Sequence, residues 1–326
     1  VPRRARDGGS GPTTGRDGSD ASDWDPSALP RLDGRRFLVT GANAGLGYFA
    51  SEQLAGAGAS VVLASRSEDR ARRAISAIRG VHPRADVTFQ LLDLADLASV
   101  RGAAAAIAAG PPLTGLLANA GVVGSREERA TADGFELQFG TNHLGHYALI
   151  ALLLPALAAA GTRIVHLGSI SHRWARLTPS FLEPSSYRGS VAYATSKLAV
   201  TAFGFELARR LDATGSAATS VVAHPGLALG MLTPDRPGVA ARKDAPRWRR
   251  TVLAHVAQGK DAGAWPLVRA TADPGIPNGA YCGPGGGFQL TGPPALVPAE
   301  PHARERNAAS RLIDLSARLT GVPLRL

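Results

Sequence analysis

Thr40-Gly41-Ala42-Asn43-Ala44-Gly45-Leu46-Gly47 is the stretch that decides the fold. It follows an apolar run, Arg36 to Thr40, and leads into a helical pattern, Leu46 to Ala57. Such a turn bends sharply, brings backbone amides close to an anion and opens a helix whose first N–H groups face it. Side chains at Gly41 and Gly45 would block a pyrophosphate, while Gly47 lets helix and sheet pack closely. The GxxxGxG spacing differs from the ordinary dinucleotide fingerprint, and three glycines alone make only a turn. A strand before, a helix after and a second such unit beyond give the motif its meaning.

Outward from this turn, short apolar runs alternate with longer helical patterns. Strands are expected at Ala59 to Ala64, Val87 to Leu91, Leu113 to Ala118, Arg163 to Leu167 and Ala218 to Ala223, with a seventh beginning at Ala280 and Tyr281. Helices are expected at Glu68 to Ile78, Leu97 to Ala108, Asn142 to Ala159 and Val191 to Leu211. The alternation predicts an α/β fold: a Rossmann-type, doubly wound, mostly seven-stranded parallel sheet with helices on both faces. Residues 1–30, rich in Gly, Ser, Asp and Arg, read as a disordered or loosely packed tail, with Trp24 as a possible anchor. Residues 31–326 read as one catalytic domain, with a Pro- and Arg-rich substrate loop at about 227–260. A C-terminal amphipathic helix is expected at about 303–320, where Ala308, Leu312, Leu315 and Leu319 recur at intervals of three and four.

The second strand ends at Ser65 and Arg66 with no acid at its tip. In Rossmann sites an acid here holds the ribose hydroxyls, whereas arginine accommodates a 2'-phosphate. Arg66 and Ser65 therefore point to NADP(H), with NAD(H) as second choice; the bland alternative is a solvated arginine at a helix start. Asp93 and Leu94 end the third strand, where the carboxylate either meets an adenine amino group or caps the next helix. Asn119, Ala120 and Gly121 end the fourth strand, where a ligand crosses the sheet.

Tyr193 and Lys197 are four apart in a helical stretch and share a face. An ammonium near a phenol favours phenolate and draws its pKa down from about 10, suiting it to trade a proton with an alkoxide or alcohol. Ser169, just past the fifth strand, is placed to donate to the same oxygen. Taken alone, a tyrosine and a lysine at this spacing are common on surface helices.

In combination these motifs resemble the short-chain dehydrogenase/reductase family, and more narrowly its retinol dehydrogenase and protochlorophyllide reductase-like branch. The matching stretches are Thr40 to Gly47, Ala118 to Gly121, Asn142 to Gly145, Arg163 to His172, Tyr193 to Ala199 and His224 to Gly226. The resemblance implies that Tyr193 is the general acid/base and Ser169 polarises the substrate oxygen. It implies that Lys197 also holds the nicotinamide ribose and that Asn142 supports a water reaching Lys197. It places Pro225 and Gly226 beside nicotinamide and lets Asn43 steady the glycine turn, with Ala44 and Leu46 along the same cofactor-binding stretch. Three positions depart from the family pattern: Ala118, Gly168 and Gly230. The last removes a threonine that grips the carboxamide, leaving Thr233 three residues on. The implied activity is hydride transfer between NADP(H) and an alcohol or carbonyl carbon of a bulky apolar molecule. The alternative is a catalytically impaired dinucleotide-binding or regulatory protein.

Trp174, Leu177, Phe181, Leu182, Tyr187, Leu227, Leu229, Met231, Trp248 and Leu253 are candidates for an apolar pocket, although each taken singly fits ordinary core better. His143 and His146 lack a third ligand and read as structural, so no metal is expected. The net charge of +10 rests on arginine, since the only lysines are Lys197, Lys243 and Lys260. The arginines are scattered without a recognition motif, so no nucleic acid is expected. A lone cysteine, Cys282, and a polar N-terminus suggest the cytoplasm. The longest apolar stretch, Tyr147 to Ala160, is too short for a membrane span. A homodimer or homotetramer fits closed symmetry.

Overall fold

The computed structural model describes residues 24–25, 29–124, 127–178, 187–239 and 246–326. The expected tail, except Trp24, Asp25 and its last two residues, lies outside the described residues. So do Phe181, Leu182 and residues 240–245 of the substrate loop.

Eight strands form one sheet: β1 (Arg36–Thr40), β2 (Ser60–Ser65), β3 (Val87–Leu91), β4 (Gly115–Ala118), β5 (Arg163–Leu167), β6 (Thr219–Ala223), β7 (Tyr281–Pro284) and β8 (Pro294–Leu296). Their order is β3-β2-β1-β4-β5-β6-β7-β8. All neighbours pair in parallel except β7 and β8. The sheet is thus Rossmann-like, and the eighth strand is an antiparallel edge that the sequence pattern did not reveal, being three residues long and beginning with proline. Strand order reverses between β1 and β4, which opens a crevice beyond their C-terminal ends.

The alternation of side chains across β1 builds the two faces. Leu38 belongs to a core with Leu116, Tyr147, Ile150, Phe203 and Leu312; Phe37 and Val39 belong to another with Phe49, Leu54, Ile78 and Leu267. Helices α1 (Gly45–Gly56) and α2 (Glu68–Val81) cover the second face, and α3 (Leu97–Ala108) the first. Ser67 caps α2 and Asp96 caps α3 through side-chain oxygens.

The helix expected from Asn142 begins five residues earlier. Glu136 accepts from the amides of Gln138 and Phe139, starting α4 (Leu137–Phe139). A π-turn at Gly140–Leu144 then joins α4 to α5 (Gly145–Ala159). The run Leu137–Ala159 has 23 residues and is long and apolar enough to cross a bilayer, a length the Tyr147 to Ala160 stretch did not suggest. Its most apolar window is 72% buried inside the fold, the behaviour of a core helix. Helix α6 (Gly189–Ala213) lies beside it. After β6 come α7 (Arg247–Leu253), α8 (Lys260–Gly263) and α9 (Trp265–Ala272), the last packing Leu267, Val268 and Ala270 into the second core. Trp24 is half-buried there, with the Arg269 guanidinium 5.9 Å from its ring centroid. Helix α10 (Arg306–Thr320) ends at Gly321 in the left-handed region and packs Ala309, Leu312 and Ile313 on the first core.

Five histidines, His143, His146, His166, His172 and His224, are buried, and burial holds each below its ordinary value. Burial lowers His143, His166 and His224 to about 3 and His146 to about 4. Their folded pKa values lie below the unfolded value of about 6.5, so the unfolded chain binds more protons as pH falls. Stability should therefore drop below pH 6.5 by about 1.4 kcal/mol per pH unit for each histidine, levelling off as the folded values are reached. Denaturant midpoints should be lower at pH 5 than at pH 7, with a shallower acid limb for His166→Asn. A midpoint unchanged between the two would contradict neutral burial.

Candidate active site

The glycine turn sits at the switch point. Gly41 and Gly45 have φ of 66° and 60°, a region closed to most side chains. A Cβ on Gly41 would meet the Ala120 Cα at 2.8 Å, and one on Gly47 would collide with the Asn119 amide nitrogen. Gly41 and Gly47 thus serve close packing of β1 and α1 against the end of β4. Gly45 faces outward, toward the Lys260 ammonium 3.7 Å from its would-be Cβ. Ala44 caps α1 in extended conformation with no side-chain hydrogen bond, and the first turn carries no acid. The opening amides of α1 are therefore left for an external acceptor.

A buried node joins the two strands. The Thr40 hydroxyl accepts from the amides of Asn119 and Ala120, both at 2.9 Å, and lies 2.8 Å from His146 Nε2. The Asn119 side chain donates to the Thr40 carbonyl at 2.8 Å, and its own oxygen is buried without a partner among the described residues. Beside this node a cavity of about 450 Å³ runs along the crevice. Its lining includes Gly41, Asn43, Ala44, Gly45, Leu46, Ser65, Arg66, Asp93, Leu94, Asn119, Ala120, Gly121, Tyr193 and Lys197. Of the expected cofactor residues, Gly47, Pro225 and Gly226 are not in the lining. Gly226 has a φ of 64° and packs on the Leu290 carbonyl, and the Pro225 carbonyl accepts from Gln258.

At one end of the cavity Arg66 is joined by Arg70, which the sequence reading missed although it lies one turn further on, in α2. Both are exposed, and among the described residues neither makes an ion pair. Asp96, rather than Asp93, caps α3; Asp93 accepts from the Ala95 amide at 3.0 Å.

At the other end Asn142, in the π-turn, accepts from the Val122 amide at 2.8 Å and donates to the Val122 carbonyl and to Ser196 Oγ at 3.1 and 2.9 Å. Lys197 is buried, its ammonium donating to the Leu167 carbonyl at 2.9 Å, and burial lowers it to about 8. Ser169 caps the 3-10 turn Ile170–Trp174; its Oγ accepts from the Ser171 amide and hydroxyl at 3.2 and 3.0 Å. With both acceptor positions filled, the Ser169 proton is directed away from Ser171. Tyr193 departs from the sequence expectation. Burial raises its phenol above the ordinary value and the neighbouring Ser169 pulls the other way. The Lys197 ammonium is held by the Leu167 carbonyl and stands 5.9 Å from the Tyr193 ring centroid.

Thr233 is tied into its own loop. It is buried, donates to the Leu229 carbonyl at 2.9 Å and accepts from the Lys260 amide at 3.0 Å. His143 pairs with Ser316 at 2.8 Å. Among the described residues none of the apolar-pocket candidates lines the cavity, and Trp174 is 75% and Trp248 67% exposed.

A family model described as short chain dehydrogenase matches residues 35–236. The polyprenol dehydrogenase of Mus musculus is 39% identical over 309 residues, covering 92% of this chain and 88% of that protein. Dehydrogenase/reductase SDR family member 13 of Homo sapiens is 36% identical over 304 residues, covering 90% and 75%. Retinol dehydrogenase 13 of Homo sapiens is 39% identical over 200 residues, 60% of each chain. A solved but uncharacterised protein of Mycobacterium paratuberculosis superposes with a TM-score of 0.75 at 32% identity, covering 93% of this chain and 99% of its own.

The two glycine environments predict opposite outcomes. Gly47→Ala should lose about 1–3 kcal/mol of stability in denaturant unfolding, since the Asn119 side chain and the Gly41 carbonyl, 2.7 Å from the new Cβ, have no room to yield. Gly230 has nothing within 4 Å of its would-be Cβ, so Gly230→Thr should stay within about 0.5 kcal/mol.

Proposed function

The chain belongs to the short-chain dehydrogenase/reductase family and is an NAD(P)-dependent oxidoreductase acting on alcohol or carbonyl groups; we propose that it uses NADP(H) and a bulky apolar substrate. The observation that carries this reading is one continuous cavity with a phosphate-accepting glycine turn and free arginines at one end and Tyr193 with Lys197 at the other.

The residues present fit a dinucleotide. The uncapped α1, the orphaned Asn119 oxygen and the glycine cradle each leave room or hydrogen-bonding capacity that the protein itself does not fill. Gly41, Asn43, Ala44, Gly45 and Leu46 would hold its phosphates, Asp93 and Leu94 its adenine, and Asn119, Ala120 and Gly121 its middle. Arg66, with Ser65 and Arg70, would take a 2'-phosphate, because two exposed guanidiniums stand where an acid would be needed to prefer the free hydroxyl. When bound, the nicotinamide supplies or accepts the hydride.

Proton transfer falls to this chain. In reduction Tyr193 gives its phenolic proton to the substrate oxygen, and in oxidation it takes the proton back. The Ser169 hydroxyl, oriented by Ser171, donates a hydrogen bond to the same oxygen and orients it. Lys197, held by the Leu167 carbonyl, supplies positive charge behind the phenol and stabilises phenolate after the proton has left. Asn142 fixes the Val122 segment against α6 through Ser196 and so holds the floor under Lys197.

The apolar substrate class is supported by the relatives named for polyprenol and retinol, whose alcohols are allylic and largely hydrocarbon. Polyprenal and retinal with NADPH, followed by loss of reduced-nicotinamide absorbance, test it. Tyr193→Phe should lower kcat by about 10²–10⁴ while NADPH binding stays unchanged. Full turnover by that variant would refute the acid/base assignment. The double variant R66A/R70A should lose the preference for NADPH over NADH by at least about tenfold, as expected for charge-assisted phosphate contacts. An unchanged cofactor ratio would refute the 2'-phosphate assignment.

A further inference from the structure

We propose that Lys260 is a cofactor-binding residue whose ammonium pairs with the bridging phosphates of the dinucleotide above the glycine turn. This rests on reading the cavity as a dinucleotide cleft. Lys260 lines that cavity, far along the chain from the turn, and its Nζ stands 3.7 Å from the would-be Cβ of Gly45. Gly45 is the first residue of α1, whose opening amides have neither a capping side chain nor an acid beside them. Among the described residues the Lys260 ammonium makes no ion pair or hydrogen bond. A cation and an uncapped helix start facing one cavity lack only an anion.

The placement is built rather than incidental. Thr233 fixes the Lys260 amide from one side, through the 3.0 Å bond that occupies its hydroxyl. Gln53 ties the same segment to α1 by donating to the Asp261 carbonyl at 3.0 Å, and Arg236, three residues past Thr233, grips the buried Glu52 carboxylate of α1 with both bonds at 2.7 Å. The Asp261 carboxylate turns back against Gly259, where any Cβ would collide with it, and does not neutralise Lys260. The loop thus puts a lysine over the turn while Gly230 stands open and Thr233 is committed elsewhere.

Titration of the full chain with NADPH, NADH and 2'-AMP at low ionic strength, by calorimetry or nicotinamide fluorescence, tests the assignment. Lys260→Met should weaken NADPH and NADH by a similar factor of about ten, in the range of one charge-assisted phosphate contact, and leave 2'-AMP unchanged. Lys260→Arg should stay within about threefold of the unsubstituted protein, because it keeps the charge. Arg66→Ala should do the reverse of Lys260→Met, weakening NADPH and 2'-AMP but not NADH. Unchanged dinucleotide affinity in Lys260→Met, or an equal loss of 2'-AMP, overturns the Lys260 assignment alone. Failure of the unsubstituted protein to bind either dinucleotide overturns the reading of the cleft, and this assignment with it.

Discussion

The buried Thr40 hydroxyl is the point on which the site depends. Two amides, from Asn119 and Ala120, fill its acceptor positions, so its single proton goes to His146 Nε2. His146 is then obliged to carry its own proton on Nδ1, which lies 2.9 Å from the Asn142 carbonyl. The Leu117 carbonyl, at 3.5 Å, is a more distant acceptor for the Thr40 proton, and burial keeps His146 neutral by lowering it to about 4. The path runs from the glycine turn, across the end of β4, to the π-turn that presents Asn142. The phosphate end and the proton-transfer end of the cavity are therefore two ends of one hydrogen-bonded frame.

The π-turn fits this requirement. A regular α-helix from Leu137 would bond the carbonyls of this turn along the axis in the ordinary i to i+4 register. The wider turn brings His146 Nδ1 to the Asn142 carbonyl while the Asn142 side chain reaches Val122 and Ser196. Gly145, beside it, lets α5 pass so close to Leu94 that a Cβ would collide with the Leu94 carbonyl. Local irregularity is thus traded for a rigid junction between three segments that are distant in sequence.

What was legible in the sequence was what is local. The glycine turn, the Tyr193 and Lys197 pair and the alternation of strands and helices each lie within a few residues, and their combination carried the family resemblance that implies their roles. Arg70 follows Arg66 by one turn and was within reach of the same reasoning. Lys260 was not, because its approach to Gly45 depends on Thr233, Arg236 and Gln53 acting across the fold. The short edge strand β8 and α9 carry too little periodicity to stand out. The phenol of Tyr193 differs from the expectation for another reason. Proximity along a helix says which residues share a face, but the Leu167 carbonyl decides where the ammonium goes, and burial then governs the phenol.

The distribution of lysine bears on the same point. Lysine and arginine together number 36, and only Lys197, Lys243 and Lys260 are lysine; of these, Lys197 and Lys260 line the cavity. A guanidinium is a wide planar fork that keeps its proton at any ordinary pH, whereas an ammonium is compact and releases its proton once burial makes charge costly. At Lys197 both properties matter. Its Nζ points at the single Leu167 carbonyl, an acceptor that needs no fork, and burial has already brought it to about 8. An arginine there would fix a permanent charge under the phenol; a lysine leaves a charge whose strength the surrounding protein sets.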